Sequence, residues 1–477
     1  MRCLVASLIG VLVLGATPAR AAEGDRLYVV IAPEDTPGEG ALIAFDVNDS
    51  GALVQAESYD LGGNGWLASA RQGAVFDHQG QLLFVSNNES AEVSVFSMED
   101  DGSPQAVDGS PFLVGKGPAQ LAAHPSLAVL YIVQWLEGTV GAFEVSEGGV
   151  LSFLDEAAVG FPGDLAVEPA GRYLYVADLL SGVRGFAIAA DGSLEELAGS
   201  PFSYDFSRPW SVEVSSTGDR VYVLDLDAGL AVFELRADGG LDLVPGSPFP
   251  VGGFTEFLVL AENDRTLYIP RSFGSEIVVL QMDPSGVPSE LPGSPFPGPF
   301  LPAALLAPAG TEMLLVASVI PGDVESFGIE ASGALSPLGG PNPVSDPEGR
   351  LPNGAAFRLA PPPAAEARID IKPGSDTNPI QPKSRGLISV ALFGSDSLDV
   401  QNVDWSTVRF GPGGAAPHRV PRDLEDGNGD GRLDAIVHFR TQETGIGCGD
   451  ETATLTGGTV DGRSIEASDV VRPLGCR

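Results

Sequence analysis

Apolar and polar residues along this chain fall into a block that repeats. Residues 109–151 show it: a loop, a short apolar strand ending in a Pro turn, then a second strand through Leu130-Tyr131-Ile132-Val133. A polar loop follows, then a third strand over 139–145 and a Gly turn into a fourth. Aligned on the centre of the second strand, the block returns at Tyr28, Phe84, Tyr131, Tyr175, Tyr222, Tyr268 and Leu315, in steps of 56, 47, 44, 47, 46 and 47 residues. The third strands keep that spacing through Phe45, Phe96, Phe143, Phe186, Phe233, Val279 and Phe327. A third ruler is the tetrapeptide Gly-Ser-Pro-Phe, beginning at Gly109, Gly199, Gly246 and Gly293. Turn signals such as Asp101-Gly102, Asp191-Gly192 and Asp238-Gly239 sit just past the third strands.

One sheet of about four short strands cannot bury both of its faces. Stacking such sheets face to face around an axis does so and leaves only short edges, which predicts a β-propeller; a linear solenoid of the same sheets is the alternative. The chain enters the pattern at the second strand of a repeat, residues 26–30, and a segment with first-strand character follows the seventh repeat at 351–360. Pairing the two zips the ring shut. The predicted fold is all-β: a seven-bladed β-propeller closed by a C-terminal strand, followed by a small β-sandwich-like domain.

The flanks complete the plan. Residues 1–22 hold Arg2, an apolar run and an Ala19-x-Ala21 exit, which reads as a secretory signal peptide too short to span a bilayer comfortably. Residues 23–360 form the propeller, 361–368 a Pro-rich linker and 369–477 a second small β domain. The first blade carries an insertion over 33–40, read as a tolerated surface loop with a lid or partner contact as the alternative. With 26 basic against 64 acidic residues, the net charge is −38, and −40 once the leader is gone. Such a field solubilises and repels nucleic acid and anionic lipid. The expectation is a secreted or periplasmic monomer without membrane insertion, binding a protein or carbohydrate.

Within the second domain, Asp426-Gly427-Asn428-Gly429-Asp430-Gly431-Arg432-Leu433-Asp434 sets oxygen side chains at loop positions 1, 3, 5 and 9, with Gly at 6. The Arg432 carbonyl would add a further donor. Hard oxygen ligands at this spacing suit a structural Ca²⁺. Val437 stands where a helix–loop–helix site would place Glu, and residues 435–439 alternate like a strand. The loop therefore reads as a short calcium loop between strands, with Asp434 as bidentate ligand; an ion-free polar turn is the alternative. Cys448 and Cys476, the cysteines left in the exported chain, are expected to form one disulfide, with two free thiols as the alternative.

The stretch Pro169-Ala170-Gly171-Arg172-Tyr173-Leu174-Tyr175-Val176, followed by a Val-x-x-Phe strand, Gly-x-Leu and Gly-Ser-Pro-Phe, resembles the lactonase-type (6-phosphogluconolactonase-like) seven-bladed propeller family. The resemblance covers about residues 26–360 and implies a lactone-opening activity. Residues 369–477 resemble a small calcium-loop domain of exported bacterial proteins. The family's catalytic positions are not matched. Its His-Pro-His falls on Phe161-Pro162-Gly163, its Gly-Pro-Arg-His on Arg208-Pro209-Trp210-Ser211, and its Glu on Leu226. No catalytic residue is carried over.

The four histidines, His78, His124, His418 and His438, suggest no metal cluster, the first two reading as surface turn residues. A ligand is expected instead at one mouth of the channel, among Arg71, Trp135, Asp178, Arg208, Trp210, Asp225 and Arg271. The main reading is a non-catalytic binding or scaffold propeller; the alternative is a lactonase-like hydrolase opening a sugar lactone at that mouth.

Overall fold

The computed structural model describes residues 25–33, 38–48, 50–65, 73–99, 101–204, 208–344, 346–359, 365–375, 377–395, 397–421, 424–460 and 463–475. The expected leader, Arg71, most of the Pro-rich stretch and Cys476 lie outside these residues, as do 34–37 of the first-repeat insertion. The chain divides into two compact units, 1–360 and 361–477. Both are built from strands.

Among the described residues, the first unit holds seven antiparallel sheets of four or five strands. The fourth is typical, running Pro162–Val167, Tyr173–Asp178, Gly182–Ile188 and Leu194–Glu196 in order. The fifth runs Pro209–Val214, Arg220–Asp225, Gly229–Leu235 and Leu241–Leu243. The first sheet draws on both ends of the unit. Leu351–Arg358 lies antiparallel beside Arg26–Ala32, with Tyr28 opposite Ala356.

Second strands are buried on both faces, which explains their unbroken apolar runs. Each pair of successive sheets shares one apolar cluster. Leu27, Val29 and Ile43 of the first sheet also pack with Met313 and Leu315 of the seventh. The core is thus a series of layers between sheets.

The repeated Tyr and Gly-Ser-Pro-Phe have mechanical reasons. Tyr131 donates its hydroxyl to the Gly192 carbonyl at 2.9 Å, and Tyr175 to that of Gly239 at 2.8 Å, each in the turn of the next sheet. Those turn glycines sit at φ near +90° and +83°, which disfavours any side chain. The Ser of the tetrapeptide accepts a hydrogen bond from a third-strand N–H, as Ser200 Oγ does from Gly185 and Ser247 Oγ from Val232. The following Phe then bridges to the same strand, Phe202 to Val183 and Phe249 to Leu230. Tyr175→Phe leaves the Gly239 carbonyl buried without its donor. It should cost about 1–3 kcal/mol by urea denaturation.

The second unit packs two four-stranded sheets over one shared core that includes Ile371, Val390, Phe410, Phe439 and Leu455. A two-stranded pair, Pro379–Ile380 with Arg472–Pro473, lies beside them.

Candidate functional site

The residues expected at the mouth separate into different kinds. Asp178 and Asp225 each end a second strand, and both are buried. Asp178 accepts from the backbone N–H groups of Phe161 and Leu180 and from Ser181 and Arg184. Asp225 accepts from the N–H groups of Arg208, Asp227 and Ala228 and from the Tyr204 hydroxyl. These carboxylates are occupied in shaping their own loops. Arg271 is likewise held, by Glu276 at 2.8 Å and by the carbonyls of Val251 and Gly252.

Arg208 is half exposed and reaches both oxygens of Asp227 at 3.0 Å. Trp135 meets Phe161 edge-on, with ring centroids 5.9 Å apart, and its buried Nε1 has no partner. Trp210 borders Gly163 so closely that a Cβ at 163 would lie 2.8 Å from the Trp210 carbonyl oxygen. That approach explains the Gly in Phe161-Pro162-Gly163. His124, expected at the surface, is buried instead, with Nε2 2.9 Å from the Gly171 carbonyl and Nδ1 accepting from Ser126 and Leu127.

One pair of titratable groups stands apart: Asp164, which the mouth loops also suggest from sequence, and Glu213, which they do not. Asp164 lies on the first strand of the fourth sheet and Glu213 on that of the fifth, and these strands are neighbours. Asp164 Oδ2 accepts from Ser211 Oγ at 2.9 Å and from Val212 N at 3.1 Å; Oδ1 accepts from Leu165 N at 2.9 Å. Enclosure outweighs these three donors and pushes the Asp164 carboxyl up to about 6. Glu213 is pushed up to about 8, first by enclosure and then by the charge of Asp164, with no donor to oppose either. Both side chains remain half-buried, so water still reaches them.

The repeats supply an internal control. Glu213 pairs with Tyr222, and the matching positions opposite Phe84, Tyr131, Tyr175, Tyr268, Leu315 and Tyr28 hold Val75, Ala122, Ala166, Val259, Leu306 and Ala356. Six sheets place an apolar residue where the fifth places a carboxyl group. At neutral pH the pair combines an ionised Asp164 with a protonated Glu213, one to accept a proton and one to donate.

In the second unit, Asp426 accepts from the N–H groups of Gly429, Asp430 and Gly431. Asp434 accepts from those of Gly394, Gly427 and Asn428. Asp430 takes the Arg432 N–H and an Asn428 amide hydrogen. The carboxylates are engaged mainly by the loop's own N–H groups, with Gly394 N also bound to Asp434, and among the described residues no three His, Cys, Asp or Glu side chains are gathered for a metal. The proposed Cys448–Cys476 bond cannot be followed, because Cys476 lies outside the described residues.

The fold of the first unit recurs in solved structures. The Pseudomonas aeruginosa periplasmic gluconolactonase PpgL superposes with a TM-score of 0.56 at 17% identity, covering 71% of this chain and 99% of that one. A Lactobacillus plantarum protein gives 0.56 at 14% identity, over 70% and 99%. In sequence, the 6-phosphogluconolactonase of Yersinia pestis strain Pestoides F is 28% identical over 158 residues. The chain is similar to the 6-phosphogluconolactonases. That match covers 31% of this chain and 47% of the relative, so the chain spans about half the length of the curated relatives it matches. The Yersinia enterocolitica 6-phosphogluconolactonase is 28% identical over 142 residues. No family model matches the chain. These similarities give no support to the non-catalytic scaffold expected from the missing His-Pro-His. Among the described residues no helix is long and apolar enough to cross a membrane.

Proposed function

We propose that the protein is a periplasmic or secreted lactonase-like hydrolase that opens a sugar lactone within its first unit. The carrying observation is the Asp164–Glu213 pair, two carboxyl groups on neighbouring first strands of a fold similar to that of gluconolactonases. The seven sheets are proposed to close into a seven-bladed propeller whose first strands line a central channel. The shared first–seventh core and the pairing of Leu351–Arg358 with Arg26–Ala32 support that closure.

The substrate is proposed to be an unphosphorylated lactone. A net charge of −38 opposes a phosphate ester, and Arg208 and Arg271 already face Asp227 and Glu276. A pH-stat assay of the purified chain should show turnover of glucono-lactone above the spontaneous rate, and less with its 6-phosphate. No turnover on any sugar lactone would remove the proposal; faster turnover of the phosphate would reverse the substrate choice.

The second unit is proposed to bind a structural Ca²⁺ through the oxygen donors of Asp426, Asn428, Asp430, Arg432 and Asp434, and to hold a Cys448–Cys476 disulfide. Support for calcium comes from donor chemistry and spacing. Chelation with EDTA should lower the melting transition of this unit by at least about 5 °C, and added Ca²⁺ should restore it. Asp434→Ala should melt early with or without chelator. A melting curve indifferent to EDTA would dismiss the ion.

A further inference from the structure

We propose that Asp164 and Glu213 transfer the protons of the lactone-opening reaction, an assignment that rests on the hydrolase reading. The Asp164 carboxylate takes a proton from the attacking water, and the Glu213 carboxyl group gives one to the departing ring oxygen. The water oxygen forms a bond to the carbonyl carbon, and the bond from that carbon to the ring oxygen breaks. The ring oxygen leaves as a hydroxyl bearing the Glu213 proton, while Asp164 holds the proton lost by water. Exchange with solvent returns both groups to their starting states, and no further reactant is needed.

Three observations carry the assignment. Asp164 is fixed in place by Ser211 Oγ, Val212 N and Leu165 N, which orient its carboxylate across the junction of two sheets. Glu213 directly follows Val212 on the strand whose Ser211 Oγ and Val212 N hold Asp164, so the two carboxyl groups belong to adjoining stretches of neighbouring first strands. Asp164 is the charged group that acts on Glu213, and the remaining influence on Glu213 is its enclosure. Finally, apolar residues occupy the Glu213 position in the six other sheets, so the architecture itself does not require a carboxyl group there. The raised values at the two carboxyl groups agree with this division of labour, because each group is then in its working state near pH 7.

The test measures kcat and KM for glucono-lactone hydrolysis against pH, in wild type, Asp164→Asn, Glu213→Gln and Ser211→Ala. Wild type should give a bell-shaped kcat with limbs near 6 and 8. Asp164→Asn should lose the acid limb and Glu213→Gln the alkaline limb, each with a fall of about 100-fold in kcat and little change in KM. Ser211→Ala removes a donor from Asp164 and should move the acid limb upward while retaining turnover. Thermal melts of the same samples identify any variant that has failed to fold, and Ser211→Ala then decides through its shifted limb. Active wild type with an unchanged profile in all three variants would overturn the pair and leave the hydrolase standing. Wild type silent on every lactone would overturn both.

Discussion

A chain ended after Arg350 will not fold its first unit, whereas one ended after Leu359 will. The nine residues between them include Leu351–Arg358, the partner of Arg26–Ala32. From Leu27 to Ala32 that strand is fully buried. Taking its neighbour away unpairs one edge of the strand and strips cover from the cores shared with the second and seventh sheets, in which Leu27, Val29, Tyr28 and Val30 lie. Each such side chain loses roughly 1.5–3 kcal/mol if it becomes fully exposed. Several together approach the roughly 5–15 kcal/mol that holds a whole domain folded. Near-ultraviolet circular dichroism and urea denaturation of the two truncations check this. Both lack the second unit, so a difference between them belongs to the closing strand. Cooperative unfolding at the same urea concentration in both would mean that the first sheet stands without Leu351–Arg358, and the proposed closure would fall.

The pairing at the two ends of this unit was legible because periodicity and chain order are enough to state it. A repeat entered at its second strand needs a first strand from elsewhere, and residues 351–360 were the segment with the right pattern. The Gly-Ser-Pro-Phe ruler also had a local cause, a serine oxygen that receives a third-strand N–H. The site was harder to read, for two physical reasons. Asp178 and Asp225 stand at strand ends beside loops, where a carboxylate suits a ligand or the loop's own N–H groups equally well. Only the hydrogen bonds tell which. Glu213 was overlooked because it lies inside a strand, in Trp210-Ser211-Val212-Glu213-Val214, where alternation marks it as one polar position among others. The signal that finds it is the repeat itself: in register, Glu213 falls on Ala122 and Ala166.

Glu213→Gln should make the protein more stable at pH 8.5 and leave it nearly unchanged at pH 4.5. The folded chain holds a proton on Glu213 up to about 8, whereas an unfolded Glu releases it near its ordinary value of 4.5. Between those values the folded state binds the extra proton, so stability falls as pH rises through the window and is flat outside it. Asp164 adds a smaller slope of the same sign between 3.8 and about 6. A shift of this size, reduced for the water that reaches a half-buried group, gives about 3 kcal/mol above pH 8. Glutamine keeps the shape without the charge and abolishes that part of the slope. Urea denaturation at pH 4.5, 6.5 and 8.5 measures it; a variant equally destabilised at all three would place Glu213 among ordinary structural contacts. The pairing of outcomes matters more than either alone. A residue kept for packing weakens the fold when replaced, but one kept for chemistry strengthens the fold and loses turnover. Six sheets of this unit manage with Ala, Val or Leu at the same position, so a charge that destabilises the fifth is best explained by proton transfer.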